Sequence, residues 1–188
     1  METGVEVGMI DSELVNRARD FAKKKHEGQT RKDGSPYFAH LVRTAEIVFE
    51  FKKCTRIEEL LSATFLHDVL EDTDTGISEL RENFGEIITL VVVELTTDNL
   101  RVKIDGKADY LSNKFSNDRA ISNWALVIKL ADRLDNISDL NERSIEFAQR
   151  MKRETIVILD ALEKNRELTP TQEKLVAAIR EKLSGVNV

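Results

Sequence analysis

Residues 55–72 read TRIEELLSATFLHDVLED, and the spacing of their apolar side chains decides the fold class. Leu61, Phe65 and Val69 recur every four residues, the repeat of one helix face rather than the two-residue alternation of a strand. Thr55-Arg56-Ile57-Glu58 has the pattern of a capping box, in which hydroxyl and carboxylate satisfy free amides at a helix start. A helix is therefore predicted from near Thr55 through Val69, with His67 and Asp68 late in it.

The same periodicity extends both ways. Leu14, Val15, Ala18, Phe21 and Ala22 mark a first helix that starts at Asp11 or Ser12 and stops near Gly28. A polar loop follows, whose Asp33-Gly34 is compatible with a short β-hairpin near residues 29–38. A second helix is expected over His40 to Phe51, with Val42, Ala45, Val48 and Phe49 facing the core. Downstream, helices fit Ser78 to Phe84 and Glu86 to Leu95, broken at Gly85. Val91-Val92-Val93 would suit a strand, but its flanks continue the helical pattern. Thr96 to Asn123 reads as loop with a short helix over Lys107 to Phe115. A long helix from Ser122 to Leu140 then carries the apolar stripe Ala125, Ile128, Leu134 and Ile137. Two last helices cover Arg143 to Lys164 and Pro170 to Leu183, the latter with Thr169 as N-cap and Pro170 at the first helical position. The expected fold is all-α, one compact helical bundle over residues 1–188, with no internal repeat or linker.

Composition narrows the function. With 188 residues, 41% hydrophobic and 33% charged, the chain can bury a core without disulfides. A formal charge of −6 argues against broad binding to nucleic acid, which needs a basic face. Lys23-Lys24-Lys25 and Arg31-Lys32 offer local positive charge for a small anion. Cys54 is the only cysteine, so no internal disulfide forms and a cytoplasmic setting fits. No targeting or membrane segment is expected, because apolar runs such as Leu90 to Val93 are far too short to span a bilayer. No oligomeric state follows from these features.

The chemistry gathers at His67-Asp68-Val69-Leu70-Glu71-Asp72, one imidazole and three carboxylates within two helical turns. Imidazole and carboxylate without thiolate suit manganese, iron or zinc with open water positions. Two ligands do not make a site. His40, at the head of the second helix, and Asp132, in the middle of the long helix, are the further candidates. Each alone has a plainer reading: Asp132 as half of an ion pair with Arg133 or Lys129, His40 as a hydrogen-bonder at a helix start, Glu71 and Asp72 as a solvated helix end. Arg31 and Lys32 alone would be solvated turn charges, and Asn136 a surface amide.

Five motifs in order outweigh those separate readings: Arg31-Lys32-Asp33-Gly34, Pro36-Tyr37-Phe38-Ala39-His40, Leu66-His67-Asp68-Val69-Leu70-Glu71-Asp72-Thr73, Phe84-Gly85 and Lys129-Leu130-Ala131-Asp132-Arg133-Leu134-Asp135-Asn136. Together they resemble the HD superfamily of phosphohydrolases. More narrowly, they are similar to the hydrolase domain of RelA/SpoT proteins and to small alarmone hydrolases of the MESH1 type. The resemblance implies one HD-type domain, with a motif core over about residues 18–140 and C-terminal helices over about 143–184. It also implies the hydrolase-only form, without a synthetase domain.

For the site, the resemblance implies manganese, or another divalent metal, held by His40, His67, Asp68 and Asp132. Glu71 and Asp72 would work beside the metal, and Arg31, Lys32 and Asn136 would contact a small-molecule nucleotide. Those types suit the tasks: arginine stacks on a purine, lysine is a compact charge for phosphate, and an amide hydrogen-bonds ribose or phosphate oxygen. The expected reaction removes the 3′-diphosphate of guanosine tetra- or pentaphosphate. The alternatives are another HD nucleotide phosphohydrolase, such as an NADPH 2′-phosphatase, and a catalytically silent nucleotide-binding sensor. Leu41 stands where many relatives of this type have proline, which bears on the local helix entry.

Overall fold

The computed structural model describes residues 10–186, and among them every regular element is helical. The order is α1 (Glu13–Lys25), α2 (Tyr37–Phe51), α3 (Ile57–Phe65), α4 (Val69–Asp72), α5 (Ile77–Leu95), α6 (Asn99–Asp105), α7 (Lys107–Ser116), α8 (Asn123–Asn136), a 3-10 turn (Leu140–Glu142), α9 (Ile145–Asn165) and α10 (Pro170–Ser184). The all-α expectation holds. The hairpin reduces to one antiparallel bridge between Thr30 and Pro36. Among the described residues no helix is long and apolar enough to cross a membrane. Backbone packing divides the chain into two compact units between Thr89 and Leu90, inside α5.

In the first unit α1 and α2 both pack on α3. Ala18, Ala22, Leu41, Ala45, Val48, Leu60, Leu61, Phe65 and Leu66 are buried there. Helix α2 begins three residues earlier than expected, because Pro36 supplies an extended N-cap (φ −57°, ψ 133°). His40 consequently lies one turn inside α2 rather than at its head.

The start of α3 differs from the expected capping box. Arg56 is the N-cap, without a side-chain cap bond. The Glu58 carboxylate instead accepts from Ser12 Oγ at 2.7 Å, and Arg56 pairs with Glu59. Ser12, the N-cap of α1, is buried, and a buried hydroxyl needs a partner. One long-range bond thus replaces two local ones.

Helix α3 stops at Phe65, and residues 66–68 form a turn before the single-turn α4. In a continuing helix the Thr64 carbonyl would accept from the Asp68 amide. Here it accepts from His67 N at 3.4 Å and faces His67 Nδ1 at 2.7 Å. Leu66 (φ −93°, ψ 2°) and Asp68 (φ −109°, ψ −1°) flatten accordingly. A side chain that bonds its own backbone competes with the ladder, and Thr64 Oγ1 and Ser62 Oγ do the same to Leu60 O and Glu58 O.

In the second unit α7 packs on α9 and on α6, and α8 packs on α10, around Leu126, Ile128, Leu130, Ile158, Leu159, Leu162, Leu175 and Ile179. Helix α6 lies where the sequence predicts loop. Asp98 caps it, accepting from Leu100 N and Arg101 N, and it contributes no buried residue, so no apolar stripe announced it. Helix α8 ends at Asn136 rather than near Leu140, where the 3-10 turn begins. Val91 to Val93 are helical, and the break at Gly85 is present (φ 77°, ψ 173°).

Candidate active site

The turn between α3 and α4 places His67 beside His40 of α2. His67 is fully buried and His40 nearly so; each offers a ring nitrogen within 4.8 Å of the other's, and the rings meet edge to face at 5.4 Å. Asp68 Oδ2 lies 3.0 Å from His67 Nε2 and 3.9 Å from His40 Nε2. His67 Nδ1 faces the Thr64 carbonyl, which can only accept, so in neutral His67 the proton sits on Nδ1 and the lone pair on Nε2. A lone pair and a carboxylate oxygen 3.0 Å apart repel unless positive charge stands between them. A divalent cation satisfies both groups at once, and two imidazoles with a carboxylate and no thiolate is a donor set for a borderline or hard metal. These three residues fit a metal.

Glu71 and Asp72 follow on α4, both exposed. Because the chain turns at 66–68, Asp68 is the N-cap residue of α4, its backbone carbonyl accepting from Glu71 N at 3.1 Å and Asp72 N at 2.9 Å while its side chain makes no cap bond and stays with the histidines. Glu71 and Asp72 are the last two residues of that single turn, exposed on a helix too short to build an appreciable dipole.

Three residues outside the expected set join this group. The Tyr37 hydroxyl stands 2.6 Å from Asp68 Oδ2 and 3.0 Å from Asp72 Oδ2. Gln29 Nε2 donates to the Asp72 carbonyl at 2.8 Å. His26, 2% exposed, stacks on Tyr37 at 4.9 Å and 19°. The available signal was scarcity: the chain has three histidines, and His26 lies between the first helix and the turn that leads to the other two. Lys25, just before it, pairs with Glu79 and Asp74. Its hydrogen bond to Glu79, then that to Asp74, hold its ammonium above the usual lysine value against a lowering by desolvation.

Arg31 and Lys32 lie in the turn after α1. Arg31 N donates to Ser35 O at 2.8 Å and Gly34 N to Arg31 O at 2.9 Å. Asp33 Oδ1 accepts from Ser35 N at 2.8 Å, and Gly34 takes φ 84°, a conformation glycine adopts without strain. Lys32 is exposed and Arg31 half-buried.

In the second unit Asp132 and Asn136 share a face of α8, as expected, and Asn136 Nδ2 donates to Asp132 Oδ1 at 2.6 Å. Arg133 turns away to Glu154 at 3.3 Å, beside Met151 and Thr155. The reading of Asp132 as Arg133's ion-pair partner thereby loses its ground.

A family model described as an HD domain matches residues 18–167. The chain belongs to the HD-domain family. Within the HD-domain proteins, human MESH1, a guanosine-3′,5′-bis(diphosphate) 3′-pyrophosphohydrolase, is 38% identical over 126 residues, 66% of this chain and 68% of MESH1. A guanosine-3′,5′-bis(diphosphate) 3′-pyrophosphohydrolase of Aquifex aeolicus is 35% identical over 153 residues, 78% of this chain. The chain spans about a fifth of that relative's length (20%). A solved metazoan orthologue of SpoT, described as hydrolysing ppGpp with a role in starvation responses, superposes with a TM-score of 0.73 at 27% identity, over 95% of this chain and 99% of that one.

Proposed function

We propose that this HD-domain chain is a phosphohydrolase that cleaves the 3′-diphosphate of guanosine tetra- or pentaphosphate, giving GDP or GTP and pyrophosphate. The observation that carries the reading is the meeting of His40 Nε2 and His67 Nε2 at Asp68 Oδ2, with Asp72 linked to Asp68 through one tyrosine hydroxyl. The ligand set is His40, His67, Asp68 and Asp132, and the metal is manganese. When bound, a divalent ion acidifies water and offsets charge on the attacked phosphoryl group.

The chain's own residues do the rest. Water adds to the phosphorus next to the 3′ oxygen, and the bond between them breaks. The water oxygen leaves in pyrophosphate, and a proton goes to the 3′ oxygen. Glu71 and Asp72 share the work of orienting that water, taking its proton and protonating the leaving 3′ oxygen, for which neighbouring carboxylates in different surroundings are suited. Arg31 and Lys32 take the base and the phosphates, and Asn136 takes a ribose or phosphate oxygen while its amide steadies Asp132. One HD domain, a small nucleotide as partner and a cytoplasmic setting complete the reading, supported by the net acidity and the single cysteine.

The test starts from metal-stripped protein and guanosine tetraphosphate, with manganese added and GDP and pyrophosphate followed. Manganese-dependent release of both in equal amounts is expected. Metal binding without turnover would instead make the chain a silent nucleotide-binding module, and faster phosphate release from NADPH would reassign the substrate.

A further inference from the structure

We propose that Tyr37 is a positioning residue of this site, its hydroxyl holding the Asp68 and Asp72 carboxylates in register while His26 and Gln29 brace it from behind. The proposal rests on the hydrolase reading for its effect on turnover and on the geometry of the first unit for everything else. Asp72 is exposed, so nothing in its packing fixes its carboxylate, and a group that handles protons must be held within a fraction of an ångström. Hydrogen bonds to a charged acceptor are among the stronger ones, enough to select one rotamer. The phenol proton lies within reach of both carboxylates, at 2.6 Å and 3.0 Å, and so ties the residue that holds metal to the residue that works beside it.

The tyrosine is itself fixed. Its ring stacks on His26 at 4.9 Å and meets the edge of His40 at 5.6 Å, and its amide donates to Gln29 O at 3.0 Å. Gln29 Nε2 donates to the Asp72 carbonyl, so its Oε1 is the atom that faces His26 Nδ1 at 2.8 Å. Nδ1 must then carry a proton, and His26 Nε2 is buried with no hydrogen-bond partner among the described residues. A closed circuit results: His26 to Gln29, Gln29 to the Asp72 backbone, the Asp72 side chain to Tyr37, and Tyr37 back onto His26. Asp72 is gripped at its carbonyl and at its carboxylate by one assembly.

Tyr37→Phe keeps the ring and its stack and deletes only the hydroxyl. At saturating manganese, kcat is expected to fall about 10–100-fold, the range for lost outer contacts at metal sites, with KM within about threefold. In an Asp72→Asn background the same change should cost less than about twofold, because a group that acts through another loses its effect once that other is gone. A kcat within twofold of wild type, or losses that multiply in the double variant, overturns the proposal. Manganese titration of metal-stripped protein needs no turnover, and there Tyr37→Phe is expected to bind about tenfold more weakly. If wild type fails to hydrolyse guanosine tetraphosphate, the hydrolase reading falls, and the titration alone judges Tyr37: unchanged affinity overturns its role and a tenfold loss supports it.

Discussion

At the scale of single residues the site separates holding from reacting. His67 and Asp68 are buried and His67 is oriented by the Thr64 carbonyl, as residues that hold an ion should be, whereas Glu71 and Asp72 are exposed, where water can reach them. Asp68→Ala is expected to abolish manganese binding and turnover together. Glu71→Gln should leave manganese affinity within about threefold and lower kcat by about 10²-fold or more, the usual contribution of a positioned acid or base. Calorimetric titration beside a GDP-release assay separates the two, and an active Asp68→Ala protein would refute the ligand assignment. His40, His67 and Asp68 were legible as a group because their residue types are rare and chemically specific. Tyr37, His26 and Gln29 were not, because tyrosine stacking, a buried histidine and an amide are ordinary in any core, and only distances reveal the circuit they form.

At the scale of elements, apolar periodicity located every helix that buries a stripe and missed α6, which buries none. It also ran α3 through the turn at 66–68, because Phe65 and Val69 keep helical spacing across a break made by backbone-directed bonds of Thr64 and His67. Gly85 shows the opposite case, a break read correctly from one residue. Its φ of 77° and ψ of 173° lie where only glycine is at ease, and among the described residues nothing lies within 4 Å of where a Cβ would stand. Gly85→Ala should therefore cost about 1–3 kcal/mol from backbone strain alone, measurable by urea unfolding. In the second unit Arg166 donates to Phe115 O and Ile121 O, both at 3.1 Å, and to Asn123 Oδ1 at 2.9 Å. It fastens the end of α9 to the segment leading into α8, and burial lowers its pKa from the usual arginine value. Arg166→Ala, which strands two carbonyls, should destabilise by about 2–4 kcal/mol, and Arg166→Lys, one donor group in place of a fork, should recover only part of that.

For the molecule as a whole, the division between Thr89 and Leu90 had no signature in sequence. It falls inside α5, where no proline, glycine run or change of composition marks a linker, and the HD-domain match over residues 18–167 passes through it. We propose that the chain nevertheless acts as one functional domain, since its motifs are distributed on both sides, from Arg31 to Asn136. Metal linkage gives this a measurable form. An ion that binds only the folded chain stabilises it by about 2.7 kcal/mol at a hundred times its Kd. For a chain of this size each kcal/mol raises Tm by roughly 2–4 °C, so saturating manganese should raise it by roughly 5–10 °C. Chelator should reverse the rise. Asp132→Ala should remove most of it while leaving the metal-free Tm within about 3 °C, since Asp132 is half-exposed and surface substitutions usually shift stability by at most about 0.5 kcal/mol. A full manganese-dependent rise in Asp132→Ala would exclude Asp132 as a ligand and confine the ion to His40, His67 and Asp68.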